Sequence, residues 1–539
     1  MPLGQRSRGY VSVSATNSEE IPDLRPLPPA HAPLVSRDPS NAVPFDMSIL
    51  TISHKKGVNT LKALIVGGGI SGLALAIMMD LANIEYEILE QYTGDEAGAG
   101  SALTLGPPVL RLLEQMGLLD QIEKVSIPVT GITVIDVECR RLGGFIGFGP
   151  ERYGYPYRIM TRPAFYKILL DRVPKANLRR GKIVVDTLQN SNGVSCKCSD
   201  GSTYYGDIIV GADGAQSRTR ERMYKQLAEQ GKLPDADMEP SIYDHTSITG
   251  VSDVLDQTVY PLITDEKSDF QVIYNGTPRS FWYMPAPGNR IAWGLNGQLS
   301  TPKYGQSAFT DAHTAQRRDA TLRRQLSHSS FSSQTPSLPQ QNIYHDWLVP
   351  GPDFDDQFKD LLEARCAAGV GKVRDFLSHT PRESMSRVDL EERLYKTWYH
   401  SRIVLVGDAC HPQLLVGGQG AIQGILDGVC LVNLLYDMEH NSPNEITKAF
   451  RKYHSKRSVI AKSSIDETNT IDKVFHDQGL VAGVMRRLIF NTAWNFNMGN
   501  DKFNSSRPQL SFLPFVEDRG SNKAKEQKIS ERLLRDSQP

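Results

Sequence analysis

A glycine-rich strand-to-helix turn occupies residues 63–79, whose sequence is ALIVGGGISGLALAIMM. Gly67, Gly69 and Gly72 have GxGxxG spacing, between a short apolar run rich in branched residues and an apolar helical pattern. The first glycine permits a tight turn, the second lets the backbone approach a pyrophosphate, and the third lets the helix pack closely on the sheet. Unpaired N–H groups at the helix start favour an anion there. We therefore predict a dinucleotide-binding βαβ unit.

An acidic residue follows the second predicted strand at a suitable distance. That strand, YEIL, is followed by Glu90, which lies 18 residues beyond Gly72. In dinucleotide-binding folds an acid about 20 residues after the glycines accepts hydrogen bonds from a ribose. The 17 uncharged residues of 63–79 approach the length of a membrane span. The three glycines and the strand-sized apolar run favour the strand-turn-helix interpretation instead.

The composition is that of an ordinary globular protein. The 539 residues are 40% hydrophobic and 22% charged, and the formal net charge of −1 provides no basic field for a nucleic acid partner. Six cysteines without CxxC spacing predict neither a disulfide framework nor a zinc site. They favour a reducing compartment, and we predict a cytoplasmic location. Cys196 and Cys198 share one face of a predicted strand and are interpreted as strand residues, so we predict no metal site.

Polar stretches flank and interrupt the predicted folded regions. Residues 1–58 are rich in Ser, Pro and Ala without periodicity, which predicts a disordered N-terminal tail. Arg6 and Arg8 with no acid in the first 18 residues leave a mitochondrial transit peptide as the weaker alternative. Residues 300–345 predict a polar surface insertion, and residues 516–539 a second disordered tail.

The remaining sequence alternates helical and strand patterns. VLRLLEQMGLLDQI and RPAFYKILLDRV have apolar residues at helical spacing, and KIVVDTL, VSCKCSDGSTYY and GDIIVGADG predict strands joined by turns. From 242 to 298, TSITGV, TVYPLI, DFQVIYNG, SFWYMPAPG and RIAWGLNG predict a mostly antiparallel sheet, the candidate substrate domain. Its aromatic residues fit either a pocket lining or plain core, and they include Tyr274, Trp282, Tyr283 and Trp293.

A second glycine-rich turn returns the chain to its first domain. Residues 402–406 form a short apolar strand pattern that leads into GDACHPQLLVGGQGAIQGILDG. We predict an α/β fold in which a Rossmann-like domain is interleaved with a mostly antiparallel sheet domain and followed by C-terminal helices. The predicted boundaries are 59–240 and 386–450 for the two parts of the nucleotide domain, 241–385 for the sheet domain, and 451–515 for the C-terminal helices.

Three motifs in this order resemble those of the class A flavoprotein monooxygenases, which include para-hydroxybenzoate and salicylate hydroxylases. They are the first glycine-rich turn, GDIIVGADGAQSRTR at 206–220, and GDACHPQLLVGGQG at 407–420. The GADGxxSxxR form of the second motif is far more specific than GxGxxG. With the helix that follows Arg162, the resemblance covers about residues 60–445. The segment RPQLSFLP, near residue 507, is similar to a sequence found in fungal members of the family.

The resemblance implies that the chain binds FAD. Glu90 would accept hydrogen bonds from the adenosine ribose, and Asp408 from the ribityl or pyrophosphate region. Arg162 would offer a fixed fork of donors, while the glycines of GGQG would let a second helix N-terminus approach the flavin. The second motif is also assigned to pyridine-nucleotide contacts. The implied FAD-binding residues are Gly67, Gly69, Gly72, Glu90, Thr104, Arg162, Asp213, Gly214, Asp408, Gly418, Gly420 and Ala421.

Two positions depart from the family pattern. Relatives commonly have proline four residues after the motif histidine and asparagine two residues after GGQG, whereas this chain has Leu415 and Ile422. Losing a rigid proline and an amide beside the flavin bears on activity more than on FAD binding. His411 belongs to the motif whatever the substrate, so we predict a packing role for it. No catalytic residue is assigned, although His245, Tyr274 and Tyr283 are possible bases toward a phenol.

The resemblance implies an NAD(P)H-linked monooxygenase. NADPH or NADH would deliver hydride to the flavin, O2 would form a C4a-hydroperoxide, and its distal oxygen would hydroxylate an aromatic or epoxidise a terpenoid-type alkene. A flavin oxidase or dehydrogenase on the same scaffold and a nonenzymatic flavin-binding protein remain alternatives. The expected partners are a small organic substrate and O2. Residues 479–498 suggest weak contact with a membrane surface, without a transmembrane span.

Overall fold

The computed structural model describes residues 61–95, 100–146, 150–261, 263, 266–277, 279–304, 358–366, 371–414, 418–476 and 503–537. The predicted tail 1–58, most of the polar insertion and the segment 479–498 lie outside these residues. Within them the strands form three sheets. The strands are β1 (Lys62–Val66), β2 (Glu85–Leu89), β3 (Ala102–Leu105), β4 (Ile127–Ile135), β5 (Arg141–Ile146), β6 (Tyr157–Thr161), β7 (Leu178–Arg179), β8 (Val184–Gln189), β9 (Val194–Cys198), β10 (Thr203–Gly206), β11 (Ile208–Gly211), β12 (Ile242–Val251), β13 (Ser268–Tyr274), β14 (Arg279–Ala286), β15 (Arg290–Tyr304), β16 (Met385–Glu391), β17 (Tyr399–His400) and β18 (Ile403–Leu405).

Helices lie between the strands along the chain, and further helices follow the last strand in the C-terminal part. Short 3₁₀ turns supplement them at Lys175–Asn177, Arg382–Ser384 and Gly407–Ala409. The α-helices with defined bounds are α1 (Ile70–Leu81), α2 (Pro107–Gln115), α3 (Leu119–Lys124), α4 (Pro150–Tyr153), α5 (Arg162–Arg172), α6 (Arg218–Glu229), α7 (Asp235–Met238), α8 (Val373–Ser378), α9 (Gly420–Tyr436), α10 (Pro443–His476) and α11 (Glu531–Asp536).

The six-stranded sheet has the order β17-β18-β11-β1-β2-β7, and its strands from β18 to β7 run parallel. Strand β1 is almost wholly buried, and helix α1 is apolar on nearly all sides because it packs between this sheet and α9. Since β18 pairs with β11, the chain does return to its first sheet, as the second glycine-rich turn predicted. The span 63–79 is therefore a strand, a turn and a helix.

The nine-stranded sheet has the order β16-β12-β15-β14-β13-β4-β6-β3, with β5 beside β4. It is mostly antiparallel, although β13 pairs in parallel with β4. The predicted α/β class, a Rossmann-like domain interleaved with an antiparallel sheet domain, is confirmed. Strands β3 to β6 join this second sheet, which the sequence boundary at residue 241 did not anticipate. The link is the pairing of β4 with β13, whose residues are more than 100 positions apart, and local patterns carry no information on such a contact.

Two local predictions were wrong. The helix predicted from residue 109 is split into α2 and α3, because Gly117 between them has a φ of +74°, outside the helical range. The segment TVYPLI does not form a strand within the described residues. Instead, the backbone N–H groups of Val259 and Tyr260 donate to the carbonyl oxygen of Asp256 and close a turn.

The C-terminal segment, residues 503–537, packs on the six-stranded domain. Gln115 of α2 exchanges hydrogen bonds with the backbone of Leu510, at 3.0 and 2.8 Å, and Asp437 after α9 accepts one of 2.5 Å from the Ser530 hydroxyl. The sequence predicted a disordered tail from residue 516, but the described residues up to 537 make specific contacts with the folded body. The composition of this segment is charged and poor in apolar residues, which is typical of a disordered tail, and it gave no indication of these polar contacts.

All six cysteines lie in the described residues and are free thiols, and Cys196 and Cys198 are buried on one face of β9. In the described parts of the chain, every helix is too short or too polar to cross a bilayer.

Candidate functional site

Four loops follow the carboxyl ends of neighbouring parallel strands in the six-stranded sheet. Strand β1 pairs in parallel with β2 and β11, and β11 pairs with β18. Gly67, Glu90, Asp213 and Asp408 lie within three residues of these strand ends. Ligands of open α/β sheets bind at this edge. The fold thus brings together motifs that are about 340 residues apart in the sequence.

Two glycines of the first turn occupy positions that exclude a side chain. Gly67 has a φ of +104°, and a Cβ built there would lie 2.5 Å from the carbonyl oxygen of Ala212. A Cβ at Gly72 would lie 2.0 Å from the carbonyl oxygen of Gly67. The first motif therefore packs backbone to backbone against helix α1 on one side and the second motif on the other.

Gly69 borders open space instead. Among the described residues, no heavy atom outside its chain neighbours lies within 4 Å of a Cβ built at Gly69. Gly69 is the N-cap of α1, and no described side chain caps this helix or places an acid in its first turn. The N–H groups that begin a helix have no intrahelical partners and favour phosphate. The opening at Gly69 fits a pyrophosphate.

Glu90 is only 3% exposed and lies beside the first turn. Its Oε2 accepts a 2.6 Å hydrogen bond from the backbone N–H of Gly68, and its Oε1 a 2.8 Å bond from that of Tyr92. Burial raises the pKa of Glu90, and these donors offset the effect only in part. Each carboxylate oxygen has two lone-pair positions, so Glu90 retains capacity for ribose hydroxyls.

Arg162 and Asp408 come from different sheets and lie within electrostatic range of each other. Arg162 begins α5, directly after β6, and packs along Gly100, where a Cβ would lie 3.0 Å from the arginine Cδ. Asp408 is exposed, yet its pKa is raised because surrounding protein limits hydration, an effect that the charge of Arg162 partly opposes. Gly420 is adjacent, since its Cβ would lie 3.6 Å from Asp408 Oδ1. Arg162, Asp408 and Gly420 thus lie near one another.

Asp213 fixes the start of helix α6. Its carboxylate accepts hydrogen bonds from the Ser217 hydroxyl at 2.5 Å and from the Thr219 backbone N–H and hydroxyl, both at 2.9 Å. Gly214 has a φ of +77° and open space where a Cβ would be. Their contact with a cofactor stays a prediction, but the bonds of Asp213 give it a structural role as well.

Arg220 joins the second motif to the third. Its guanidinium donates to the carbonyl oxygens of Ala409 at 2.9 Å and Ala215 at 2.7 Å, and it lies 4.2 Å from the ring centroid of Tyr395. The last arginine of GADGxxSxxR therefore ties the Asp213 loop to the turn that carries Asp408.

The other residues predicted to contact FAD lie on β3 and around the start of α9. Thr104 is a half-buried residue of β3, opposite Ile159 of β6. Gly418 has a φ of +60° with open space where a Cβ would be, and Ala421 is the half-buried second residue of α9. Gly417 and Leu415 lie outside the described residues. Ile422, which stands where relatives have asparagine, is buried in the main hydrophobic core.

A family model described as FAD binding domain matches residues 60–468. The chain belongs to this family. The FAD-dependent monooxygenase atmM of Aspergillus flavus is 25% identical over 476 residues, which cover 84% of this chain and 87% of the relative. The FAD-dependent monooxygenase cle3 of Aspergillus versicolor is 28% identical over 412 residues, covering 74% and 73%. The protein is thus an FAD-dependent oxidoreductase of the class A monooxygenase group.

Solved structures share the fold. HpxO of Klebsiella pneumoniae in complex with FAD and uric acid aligns with a TM-score of 0.60 at 17% identity, over 82% of this chain and 95% of HpxO. A salicylate hydroxylase substrate complex aligns with a TM-score of 0.56 at 18% identity, over 83% and 98%. The open space at Gly69 and Gly418 and the neighbouring Arg162 and Asp408 are compatible with a bound FAD.

A buried ionic network that the sequence motifs did not predict lies behind the Asp408 turn. Asp427 of α9 and His411 are fully buried, and Asp427 Oδ2 lies 2.6 Å from His411 Nε2. Arg457 of α10 donates to Asp427 Oδ1 at 2.6 Å. Asp427 is the sole charged residue of the 17-residue helix α9, and a lone acid in an apolar helix predicts a buried ionic partner. His411 is also in contact with the ring of Trp398, and its packing role stays a prediction.

Cys410, His411 and Asp427 place their ligand-type atoms within 4.8 Å of one another. The sequence predicted no metal site. The Asp427 carboxylate is already neutralised by Arg457, and a divalent cation here would lie close to that guanidinium, which opposes its binding. These residues are better explained as an ion-pair network.

The two faces of the nine-stranded sheet carry different sets of aromatic side chains. One face is core, where Phe281 stacks on Tyr283 and Trp293. The opposite face carries Phe270 and Trp282, half-buried and stacked with centroids 5.6 Å apart. Tyr283 and Trp293 are thus core residues, whereas Trp282 and Tyr274 alternate onto the other face.

Proposed function

We propose that this protein is a monooxygenase that uses NAD(P)H and O2 to hydroxylate or epoxidise a small aromatic or terpenoid-type organic substrate. The proposal rests chiefly on one shared sheet face. Following the strand register from β13 through β4 and β6 to β3 puts Thr104 on the face that carries Phe270 and Trp282. Thr104 is a predicted FAD contact, so a substrate on this face would lie next to the cofactor. The names of the fungal FAD-dependent monooxygenases support the reaction class.

FAD, when bound, supplies hydride acceptance from the nicotinamide and activation of O2. The residues of this chain provide binding and orientation. The Gly69 opening and Glu90 would hold the ADP half, and Arg162 and Asp408 would hold the cofactor where it crosses from the six-stranded to the nine-stranded sheet. The sheet face above would exclude water from the reacting atoms.

The substrate wall combines aromatic and neutral polar groups. Beside the Phe270–Trp282 stack, the Ser247 hydroxyl donates to Asn296 Oδ1 at 2.6 Å, and the pairing register puts both residues on the same face as Trp282. This wall suits a ring-bearing, largely apolar substrate with one hydrogen-bonding group.

The same face narrows the choice of a base for a phenolic substrate. Tyr283 lies in the core on the opposite face and is removed from consideration. His245 is half-buried, shares the face of Ser247, and has Nδ1 2.8 Å from Asp244 Oδ1. A neighbouring carboxylate can fix the orientation of an imidazole through its Nδ1. His245 and Tyr274 therefore remain the candidates.

The test is a substrate screen with labelled oxygen. Phenols, benzoates, prenylated aromatics and terpenoid alkenes are incubated with NADPH or NADH under ¹⁸O₂, and nicotinamide oxidation is followed together with product mass. We expect substrate-stimulated oxidation and one ¹⁸O atom in the product. An oxidised product without label would contradict the proposal and indicate an oxidase or dehydrogenase.

A substitution separates the substrate wall from the cofactor site. Trp282→Leu is expected to raise KM for the substrate by about 10-fold, because the loss of aromatic contact area costs on the order of 1–2 kcal/mol. Leu255→Val, in the core on the other face, is the control. FAD affinity should be unchanged in both variants, and equal KM values for the two would argue against this wall.

We also propose a cytoplasmic location. In support of it, all six cysteines lie in the described residues and are free thiols without a disulfide. Fractionation of expressing cells with antibody detection tests it, and recovery in the mitochondrial fraction would favour the transit-peptide alternative.

A further inference from the structure

The turn that carries Asp408 is held from behind by one carboxylate. Asp427 Oδ2 accepts a 2.8 Å hydrogen bond from the Gly407 backbone N–H and lies 2.6 Å from His411 Nε2. Gly407 immediately precedes Asp408, and His411 follows it by three residues. One buried oxygen atom therefore fixes the turn at both ends.

The backbone gives this turn little freedom to reach another geometry. Gly407 has a φ of +60°, and a Cβ there would lie 3.0 Å from the hydroxyl oxygen of Ser71 in α1. The backbone N–H groups of Cys410 and His411 both donate to the Gly407 carbonyl oxygen, at 2.9 and 3.1 Å. The position of Gly407 is thus transmitted to the whole turn.

Asp427 is itself anchored by α10. Arg457 donates to Asp427 Oδ1 at 2.6 Å and to the Gln423 side-chain oxygen at 2.6 Å, and all three side chains are buried. Burial alone would raise the pKa of Asp427, but its interactions with His411 and Arg457 bring the pKa down to about 2. The carboxylate is therefore ionised throughout the physiological range.

We propose that Asp427 is a positioning residue that sets the orientation of Asp408 toward FAD and thereby the affinity for the cofactor. Asp427 is fully buried, and its carboxylate is bonded to Gly407, His411 and Arg457. The proposal rests on the predicted contact between Asp408 and FAD. Partners that orient a ligating group, without touching the ligand, commonly alter affinity by about 10- to 100-fold.

The experiment measures FAD binding to apoprotein by quenching of flavin fluorescence, in wild type and three variants. Asp427→Asn keeps the size of the side chain but loses its charge, and we expect FAD binding to weaken by about 10- to 100-fold. Tyr453→Phe is the matched control, because the Tyr453 hydroxyl is buried on the same helix as Arg457 and donates to Leu405 of β18. We expect a change below about threefold for this control, since it leaves the contacts from Asp427 to Gly407 and His411 intact.

Two readouts separate positioning from general destabilisation. Thermal unfolding of the apoprotein measures general destabilisation, which is expected to be larger for Asp427→Asn, because Arg457 is left buried without its carboxylate, than for Tyr453→Phe. The visible absorption spectrum of bound flavin should shift only in Asp427→Asn, because only there does the polar environment of the flavin change. Equal FAD affinities and identical spectra for the two variants would overturn the proposal.

A second pair keeps the test decisive if Asp427→Asn does not fold. His411→Gln leaves the Asp427–Arg457 pair intact and removes one of the two contacts that hold the turn, so FAD binding should weaken by about three- to tenfold. Asp408→Ala tests the underlying contact directly. If Asp408→Ala leaves FAD affinity unchanged, the predicted Asp408 contact is wrong. If Asp408→Ala weakens binding but His411→Gln does not, the positioning role is wrong.

Discussion

The two glycine-rich turns place buried carboxylates in opposite electrostatic settings. Glu90 beside the first turn is bonded to two backbone N–H groups, and burial raises its pKa. Asp427 behind the second turn is bonded to a guanidinium, an imidazole nitrogen and an N–H group, and its pKa falls to about 2. The first carboxylate still gains from further hydrogen-bond donors, whereas the second is satisfied. Glu90 beside the first turn therefore has hydrogen-bonding capacity left for a ligand, whereas the bonds of Asp427 fix the conformation of the second turn.

Removal of the cation at the second turn should have the largest effect. Arg457→Met leaves a buried, unpaired carboxylate, and we expect a loss of about 3–5 kcal/mol in the free energy of unfolding, measured by urea titration of the apoprotein. Arg451→Met, at an exposed position of the same helix, should change it by less than about 0.5 kcal/mol. Similar values for both variants would mean that Asp427 does not depend on Arg457.

Within the first turn, two glycines should respond in opposite ways. Gly72→Ala introduces a Cβ 2.0 Å from a carbonyl oxygen, and we expect it to destabilise the apoprotein by about 1–3 kcal/mol or more. Gly69→Ala meets open space and has a φ of −73°, so the apoprotein should lose no more than about 1 kcal/mol.

FAD titration completes this comparison. Gly69→Ala is expected to weaken FAD binding about tenfold or more, since the Cβ occupies the space through which the pyrophosphate approaches the backbone. Wild-type affinity in Gly69→Ala would contradict the assignment of this opening to the cofactor.

Acid titration should show the stabilising role of Asp427. Its folded pKa of about 2 lies below the ordinary value of 3.8, so its contribution is fully present above pH 4 and is lost as the pH falls toward 2. The expected loss is about 2 kcal/mol, obtained from urea titrations between pH 2 and pH 5. In Asp427→Asn this pH-dependent component should be absent, and an unchanged slope would show that other groups produce it.

Glu90 should show a pH dependence of the opposite sign. A raised folded pKa gives stability that is present below the ordinary value of 4.5 and lost as the pH rises through the folded pKa. The ionised Glu90 carboxylate should therefore destabilise the folded apoprotein at neutral pH. Glu90→Gln should abolish this destabilisation. It should also weaken FAD binding by about tenfold, because a neutral amide is a poorer acceptor for ribose hydroxyls than a carboxylate. A variant that binds FAD normally would contradict the ribose contact.

The parts of the fold that sequence predicted well are local. A strand, a glycine turn and a helix at residues 63–79 depend on neighbouring residues, and both glycine-rich turns were predicted for this reason. The joining of β3 to β6 with the second sheet depends on pairing over long distances, and it was not predicted. The break at Gly117 was missed because a single positive φ interrupts an otherwise helical pattern.

The candidate site divides in the same way. The structure brings Gly67, Glu90 and Asp408 to one sheet edge, as the order of the motifs implied. Their contacts with FAD remain predictions. The pairing of Asp427 with Arg457 spans 30 residues and two helices, and only the isolated charge in an apolar helix pointed to it. A partner for that charge cannot be chosen from sequence, since several cations lie on the next helix.

The strand order of the six-stranded sheet has a consequence for synthesis on the ribosome. Strand β11 can pair with β1 early, but its other edge stays uncovered until β18 has been made, nearly 200 residues later. Exposed strand edges promote aggregation of nascent chains. The bonds from Gln115 to the C-terminal segment form later still, after Leu510 has left the exit tunnel. Chaperone capture should therefore concentrate on nascent chains that end between β11 and β18.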